Sequence, residues 1–373
     1  MTTVFLVVSV FFLAWSNGAN DNFKGVATLY GSRTLSFRRS LWLTTVATLA
    51  GSFLSLVLAS ALAKAFSGKG FVPTELAGTS ELLISIGMAA AVTVMLATLL
   101  GMPTSTTHAL TGALLGVAVV IGTGGADYAK LWDKFFLPLL VSPILAVGAA
   151  LLFYPLLSRT RKKMGIECQT CLCVGSSPRQ CVPLGCGRSD ISTVGVVAPE
   201  MEVSIGSGDE CVERYDGRVV GVNAQQVVDV LHTLSGATVC FARGVNDTPK
   251  IAALLLATGG VAVNWKLGLV AVAMAVGGWL QARKVAETMS HRITDLNTGQ
   301  GLTSNLVTAA LVLGASRFGV PVSTTHVSCG SIFGIGIASK SARWKTIGQI
   351  VLTWITTLPL GAALGAAIYW SMT

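Results

Sequence analysis

Hydroxyl side chains occur in the same short order at two distant places in the chain. Residues 101–116 have the sequence GMPTSTTHALTGALLG and residues 319–334 have GVPVSTTHVSCGSIFG, so half of the aligned positions are identical. Proline is common at the start of a helix, because the backbone N–H that it lacks would have no partner in the first turn. The hydroxyls that follow lie beside unpaired backbone N–H groups. Such a helix start directs several donors and a partial positive charge at one point, which suits a tetrahedral oxyanion.

These hydroxyls have a second interpretation, in which they cap their own helices and bind nothing. Two copies on hairpins that enter the membrane from opposite faces favour the binding role, since the two tips would meet near the midplane. His108 and His326 follow the two Ser-Thr-Thr runs. Each histidine either orients a hydroxyl or satisfies a backbone carbonyl, and the sequence leaves both roles open.

A second repeated motif places carboxylates within apolar segments. It is an Asn-Asp pair followed by a lysine: Asn20, Asp21 and Lys24 in the first copy, Asn246, Asp247 and Lys250 in the second. Charge is costly inside a membrane and usually functional there. The motif suits an interrupted helix whose oxygens bind a hard cation, or an ion pair at i, i+3 spacing. Arg243 and Arg317 also lie close to the motifs, and so much positive charge favours an anion.

The composition indicates that these motifs lie in a membrane protein. Of 373 residues, 52% are hydrophobic and only 12% are charged, whereas soluble domains contain about 25% charged residues. Apolar runs of roughly 17–25 residues recur along the chain, which is the length that crosses a bilayer. The net charge of +9 then reflects basic cytoplasmic loops and not nucleic-acid binding. We predict an all-α polytopic membrane protein with discontinuous helices.

The order of the motifs predicts two inverted-topology repeats. The predicted spans and re-entrant-type hairpins are 4–31, 41–63, hairpin 82–122 and 135–157, then 226–258, 266–282, hairpin 300–338 and 346–370. The predicted domains are therefore a first repeat (1–158), a linker (159–222) and an inverted second repeat (223–373). With both termini outside, 17 basic residues lie on the cytoplasmic side and five outside, as the positive-inside rule requires. We predict a multi-pass plasma-membrane protein with a cytoplasmic linker.

The linker holds six of the eight cysteines: Cys168, Cys171, Cys173, Cys181, Cys186 and Cys211. A cytoplasmic linker would keep them as reduced thiols or metal ligands, not as disulfides. Their spacing matches no standard zinc pattern. Short valine-rich runs allow a small β-rich insert or an irregular loop, and both remain open.

The two repeated motifs, together with residues 281–288 and the segment that follows to Gly334, resemble the inorganic phosphate transporter (PiT) family. The resemblance covers the whole chain except the linker. It implies cation-coupled phosphate symport, usually with Na⁺ and in some members with H⁺, and no cofactor or resident metal. It further implies phosphate at Ser105, Thr106, Thr107, Ser323, Thr324 and Thr325, and cations near Asn20, Asp21, Asn246 and Asp247. We add Lys24, Lys250 and Arg317 as charge partners.

This chain departs from the family pattern in two ways. An asparagine usual in the family is replaced by Lys24 and Lys250, so a tethered ammonium can replace an ion. Glutamates common in the family are replaced by Thr48 and Asn305. Sodium stoichiometry therefore does not transfer from the resemblance.

The expected function is phosphate import by alternating access, driven by a Na⁺ or H⁺ gradient. Inorganic phosphate, the coupling cation and the lipid bilayer are the expected partners, and a homodimer is an open alternative. A carrier of sulfate or another tetrahedral oxyanion is the nearest competing function. An anion channel and an intramembrane hydrolase come from other classes. The hydrolase is disfavoured because nucleophilic catalysis needs one asymmetric site, whereas every candidate residue here is duplicated.

Overall fold

The structure is a computed structural model. It describes residues 2–58, 72–73, 75–122, 127–165, 170–176, 181–183, 194–196, 201–207, 219–256 and 263–373. The chain forms two compact units. One comprises Met1–Pro155 with His232–Thr373, and the other comprises Leu156–Leu231.

Helices make up the first unit, and two of them continue into the residues of the second. Their bounds follow the predicted spans. The first half contains α1 (Thr2–Asp21), α2 (Ala27–Gly31), α3 (Phe37–Leu58), α4 (Ser80–Leu99), α5 (Thr106–Ile121), α6 (Tyr128–Leu131), a π-helical stretch (Trp132–Phe136) and α7 (Leu137–Lys163). The second half contains α8 (Ala224–Leu256), α9 (Val263–Gln281), α10 (Arg283–Glu287), a π-helical stretch (Thr288–Arg292), α11 (Thr298–Arg317), α12 (Thr324–Ala338) and α13 (Trp344–Met372).

Several of these helices can cross a membrane. Four helical segments of the described chain are long and apolar enough: Thr2–Asp21, Ser80–Leu99, Tyr128–Lys163 and Trp344–Met372. A fifth candidate span is broken, because Trp265–Gln281 and Arg283–Arg292 meet at a bend of 68°. Large apolar side chains such as Phe53, Leu152 and Trp370 are exposed, as a lipid-facing surface requires. The prediction of a helical membrane protein is confirmed for this unit.

The two hairpin turns are built in the same way. Gly101 and Gly319 have φ of +72° and +68° and end α4 and α11, a conformation that favours glycine. The next helix then begins at a serine, because Ser105 accepts a bond from the His108 backbone N–H at 3.1 Å. Ser323 accepts the matching bond from His326, also at 3.1 Å. The repeated sequence therefore forms a repeated turn.

The helices that carry the Asn-Asp motif differ between the two halves. In the first half α1 ends at Asp21 and a turn over 22–26 precedes α2, as an interrupted helix predicts. In the second half α8 continues through Asn246 and Asp247 to Leu256, so the predicted interruption is wrong there. The turn contains Gly25, where the matching position in α8 is Ile251, and α8 continues although it contains Pro249.

Glycine contacts join the halves in a repeated pattern. A methyl group on Gly18 of α1 would lie 1.9 Å from the Met274 carbonyl oxygen of α9. Its motif counterpart, Gly244 of α8, would meet the Thr48 carbonyl oxygen of α3 at 2.3 Å. The motif helix of each half therefore packs tightly on a helix of the other half. This reciprocal contact is expected of a duplicated transporter, and the inverted orientation of the repeats stays a prediction.

The second unit contains β-strands, which confirms a β-rich insert over the loop alternative in the described linker. Its strands are β1 (Thr170–Ser176), β2 (Cys181–Pro183), β3 (Val194–Val196), β4 (Met201–Ser207) and β5 (Val219–Asn223). A three-stranded antiparallel sheet has the order β4-β1-β5, and Cys171 of β1 is opposite Gly206 on one side and Asn223 on the other. Strands β2 and β3 form a separate antiparallel pair.

The cysteines of this unit correct one prediction. Cys173 is disulfide-bonded, so it is not a reduced thiol. Disulfides persist in oxidising compartments, and this bond therefore argues against the predicted cytoplasmic linker. Among the residues that the structure describes, no group of three or more His, Cys, Asp or Glu side chains could hold a metal ion. Cys168, Cys186 and Cys211 lie outside the described residues.

Candidate functional site

The two hairpin tips meet in the interior of the helical unit, as predicted. The rings of His108 and His326 contact edge to face, with centroids 4.3 Å apart. The Thr107 hydroxyl faces the Val322 carbonyl oxygen at 3.5 Å, and the Thr325 hydroxyl donates to the Thr104 carbonyl oxygen. The N-termini of α5 and α12, with their unpaired backbone donors, therefore converge on one region.

The six predicted hydroxyl residues are buried, and they divide into two groups. The side-chain oxygens of Ser105 and Ser323 accept the backbone bonds that cap α5 and α12, which is the capping role left open by the sequence. The threonines turn toward the Asn-Asp motifs. Thr106 donates to Asp21 Oδ2 at 3.4 Å, and Thr324 donates to Asp247 Oδ2 at 3.4 Å.

The motif asparagines hold the hairpin turns in place. Asn20 donates to the Thr98 hydroxyl at 2.9 Å and to the Met102 carbonyl at 3.0 Å, and its own oxygen accepts from the Thr104 N–H at 2.9 Å. Each half thus uses this amide to fix its own hairpin.

The second copy repeats this arrangement. Asn246 donates to the Val322 carbonyl at 3.3 Å and accepts from Ser316 at 3.2 Å. Val322 is the counterpart of Thr104, because 218 residues separate each pair of equivalent hairpin positions. The cation-binding role of the asparagines stays a prediction.

Each motif lysine crosses to the hairpin of the other half. Lys24 forms an ion pair with Asp21, donates to the Thr104 carbonyl at 3.0 Å and bonds the Thr325 hydroxyl. Its ammonium thus touches three oxygens of different chemical types.

Lys250 has the corresponding three partners. It donates to the Thr107 hydroxyl at 2.9 Å and to the Val322 carbonyl at 2.8 Å, and it lies 3.7 Å from Asp247 Oδ1. Both lysines are buried, at 1% and 2% exposure. The prediction of ion pairs at i, i+3 spacing is confirmed for both motifs.

The third cation at the two motifs is Arg243, not Arg317. Arg243 donates to Asn17 Oδ1 and to Asn22 Oδ1, each at 2.9 Å, and its Nε lies 3.7 Å from Asp247 Oδ2. Arg317 is exposed at the end of α11. The prediction that Arg317 is a charge partner of the site is therefore wrong in this structure.

The buried cluster carries more positive than negative charge. It contains the carboxylates of Asp21 and Asp247 and the cationic groups of Lys24, Lys250 and Arg243, a formal charge of +1. An uncompensated buried charge is strongly unfavourable. A site with this excess, lined with hydroxyl and backbone donors, is suited to an anion.

A comparison with known proteins decides the family. The model of the Phosphate transporter family matches residues 17–365 of the 373 in this chain. The chain belongs to this phosphate transporter family. The family and the relatives below are transporters and not enzymes.

Relatives of this family member come from distant organisms. A "Probable low-affinity inorganic phosphate transporter" of Mycobacterium bovis is 27% identical over 98% of this chain and 76% of the relative. A protein of the same description in Bacillus subtilis is 24% identical over 98% of this chain and 96% of the relative. A solved structure described as "The sodium-dependent phosphate transporter" shares the fold, with a TM-score of 0.73 and 22% identity over 100% of this chain and 98% of that chain.

Asn17 is a site residue of this family member that motif analysis missed, and it contacts Arg243, which the sequence placed only near a motif. Asn17 and Arg243 are at equivalent positions of the two copies. They are 226 residues apart, which is also the separation of Gly18 and Gly244. Asn17 donates to Thr106 at 2.9 Å and to Asp21 at 3.1 Å. Aligning the residue before each glycine would have revealed that this pair differs between the two copies.

A polar cavity lies next to the first hairpin turn. It has a volume of about 860 Å³, and its lining includes Thr98, Arg283, Lys284, Glu287 and Arg292. Thr98 is the residue whose hydroxyl accepts the bond from Asn20 at 2.9 Å. A single hydrogen bond therefore links the lining of the cavity to Asn20, the neighbour of Asp21 in the buried cluster. The three cationic side chains of the cavity outnumber its one carboxylate, and this excess favours anions.

Proposed function

We propose that this family member is a secondary active transporter that imports inorganic phosphate by alternating access, coupled to a cation gradient. Na⁺ and H⁺ are the two candidate coupling ions. The observation that carries the proposal is the buried cluster of three cationic groups and two carboxylates at the meeting point of two hydroxyl-rich helix starts. A phosphate oxyanion compensates the excess charge and accepts from several of these donors at once.

Alternating access is supported by the burial of the site. The six hydroxyl residues are at most 5% exposed, so an anion reaches them only after the helices move. The tips are held by bonds between the halves, from Lys24 to Thr325 and from Lys250 to Thr107. Releasing these bonds on one side at a time would open the site to each face of the membrane in turn.

The proposed location is the plasma membrane, with both termini outside. The distribution of Lys and Arg supports this orientation, and the Cys173 disulfide opposes it. A membrane-impermeant thiol label distinguishes the two when it is applied to intact cells after treatment with a membrane-impermeant reductant, because the linker cysteines then react only if the linker lies outside.

The proposal is tested by uptake of radiolabelled phosphate into liposomes that contain the purified chain. We expect accumulation when an inward Na⁺ or H⁺ gradient is imposed. Uptake that ignores both gradients would refute coupling, and no uptake under any gradient would refute phosphate transport. Competition by sulfate, arsenate and molybdate then measures selectivity, and stronger inhibition by unlabelled sulfate than by unlabelled phosphate would favour the sulfate carrier.

A change to the threonines tests the site itself. We expect Thr107→Ala or Thr325→Ala to abolish uptake, because each removes a hydroxyl that joins the two hairpins and the lysines. Membrane insertion should be unchanged, as measured by the amount of folded protein recovered from the membrane fraction. Thr107→Ser and Thr325→Ser are the matched controls and should retain uptake. Wild-type uptake in both alanine variants would remove these residues from the site.

A further inference from the structure

The oxygen atoms around the two buried lysines have the chemistry of a cation site. Lys24 Nζ is surrounded by the Asp21 carboxylate, the Thr104 carbonyl oxygen at 3.0 Å and the Thr325 hydroxyl. Carboxylate, carbonyl and hydroxyl oxygens are the ligands that hard metal cations prefer. An ammonium of this chain occupies the middle of the set.

The second copy has the same set of ligands. Lys250 Nζ lies 2.8 Å from the Val322 carbonyl oxygen, 2.9 Å from the Thr107 hydroxyl and 3.7 Å from Asp247 Oδ1. The chain thus contains two oxygen cages of the same composition, each drawn from both halves. Each cage is filled by a lysine from the adjacent Asn-Asp motif.

We propose that Lys24 and Lys250 are resident cations, which fill the two places where coupling Na⁺ ions would otherwise bind, so that phosphate binds without Na⁺. This inference rests on the proposed function and selects H⁺ over Na⁺ as its coupling ion. A Na⁺ ion in either cage would lie within about one hydrogen-bond length of an ammonium, and two like charges this close in a buried site repel strongly.

The two lysines also hold the hairpin tips together, as a bound ion would. A cation that contacts both hairpin tips holds them together and supplies positive charge beside the anion. Here the Lys24–Thr325 and Lys250–Thr107 bonds make that connection within the polypeptide. The donors around the anion are therefore positioned before any ion is bound.

The experiment measures binding of radiolabelled inorganic phosphate to the purified full chain in lipid nanodiscs. Binding is compared in NaCl and in N-methylglucamine chloride at equal ionic strength. We expect the wild-type dissociation constant to agree within about twofold between the two salts. Phosphate binding that appears only in NaCl would overturn the inference and leave the proposed function intact. Binding in neither salt would overturn the proposed function itself.

Asparagine variants provide the second arm. Lys24→Asn and Lys250→Asn each remove one positive charge and leave an oxygen-lined cage, so affinity in the Na⁺-free salt should fall about tenfold or more. Added NaCl should recover part of this loss. Lys130→Asn, at an exposed position, is the matched control and should bind as wild type does in both salts. Variants that fold, bind weakly and do not respond to Na⁺ would overturn the assignment of the cages as cation places.

Discussion

Arg243 breaks the symmetry of the duplicated site, and replacing it tests whether the excess charge holds the anion. Its counterpart in the first half is Asn17. Arg243→Asn would make the two halves alike at this position. It would leave the pairs Asp21–Lys24 and Asp247–Lys250 in place, so the formal charge of the cluster would fall from +1 to zero.

The size of the effect follows from the distances. Arg243 Nε lies 3.7 Å from Asp247 Oδ2, and this oxygen lies 3.4 Å from the Thr324 hydroxyl. The guanidinium therefore lies within about 7 Å of a hydroxyl proposed to contact the anion. One unit charge at this distance, with an effective dielectric constant of ~20, contributes about 2 kcal/mol. This corresponds to a roughly 30-fold weaker affinity for a monovalent anion.

The assay is equilibrium binding of labelled phosphate, together with the apparent KM of uptake into liposomes. Arg243→Lys retains the charge but loses the planar fork that bonds Asn17 and Asn22, so its affinity should lie between those of wild type and Arg243→Asn. Arg317→Asn removes an exposed arginine and should leave affinity unchanged.

One result would refute the electrostatic argument directly. If folded Arg243→Asn protein bound phosphate within twofold of wild type, the excess charge would not be what retains the anion. If Arg243→Lys lost as much affinity as Arg243→Asn, the hydrogen-bond geometry of the guanidinium would matter and its charge would not. A thermal unfolding measurement in detergent separates both results from loss of the fold.

Three further substitutions test the helix packing and the polar cavity. Gly116→Ala places a methyl group 1.9 Å from the Ala362 carbonyl oxygen of α13, so it should lower the free energy of unfolding by about 1–3 kcal/mol and reduce the melting temperature in detergent. Gly148→Ala meets nothing within 4 Å and should be neutral or slightly stabilising; equal melting temperatures for the two variants would contradict the close contact. Arg283→Gln and Arg292→Gln should each raise the KM of phosphate uptake by about twofold to fivefold at low salt and less at high salt. A KM that is independent of both residues and of salt would exclude the cavity from the path of the anion.

Much of the site could be predicted from the sequence, because its chemistry lies in local motifs that occur twice. A Pro-x-Ser-Thr-Thr-His run predicts a capped helix start, and the structure forms that start at Ser105 and at Ser323. The i, i+3 spacing likewise allowed the pairing of Lys24 with Asp21 that the structure forms. Low charge content and long apolar runs determined the helical membrane class, since a bilayer excludes unpaired polar groups.

Other features depended on contacts between residues far apart in the chain. Arg243 and Arg317 both lie next to a motif, but the sequence does not show the direction of a side chain, and only Arg243 turns inward. The second lysine partner, Thr325 for Lys24, is 301 residues away. No local pattern encodes such a bond, because it exists only after the helices of one half have packed against those of the other. The sequence therefore determined which groups are available, and the tertiary structure decided that a lysine of each half closes the hairpin of the opposite half.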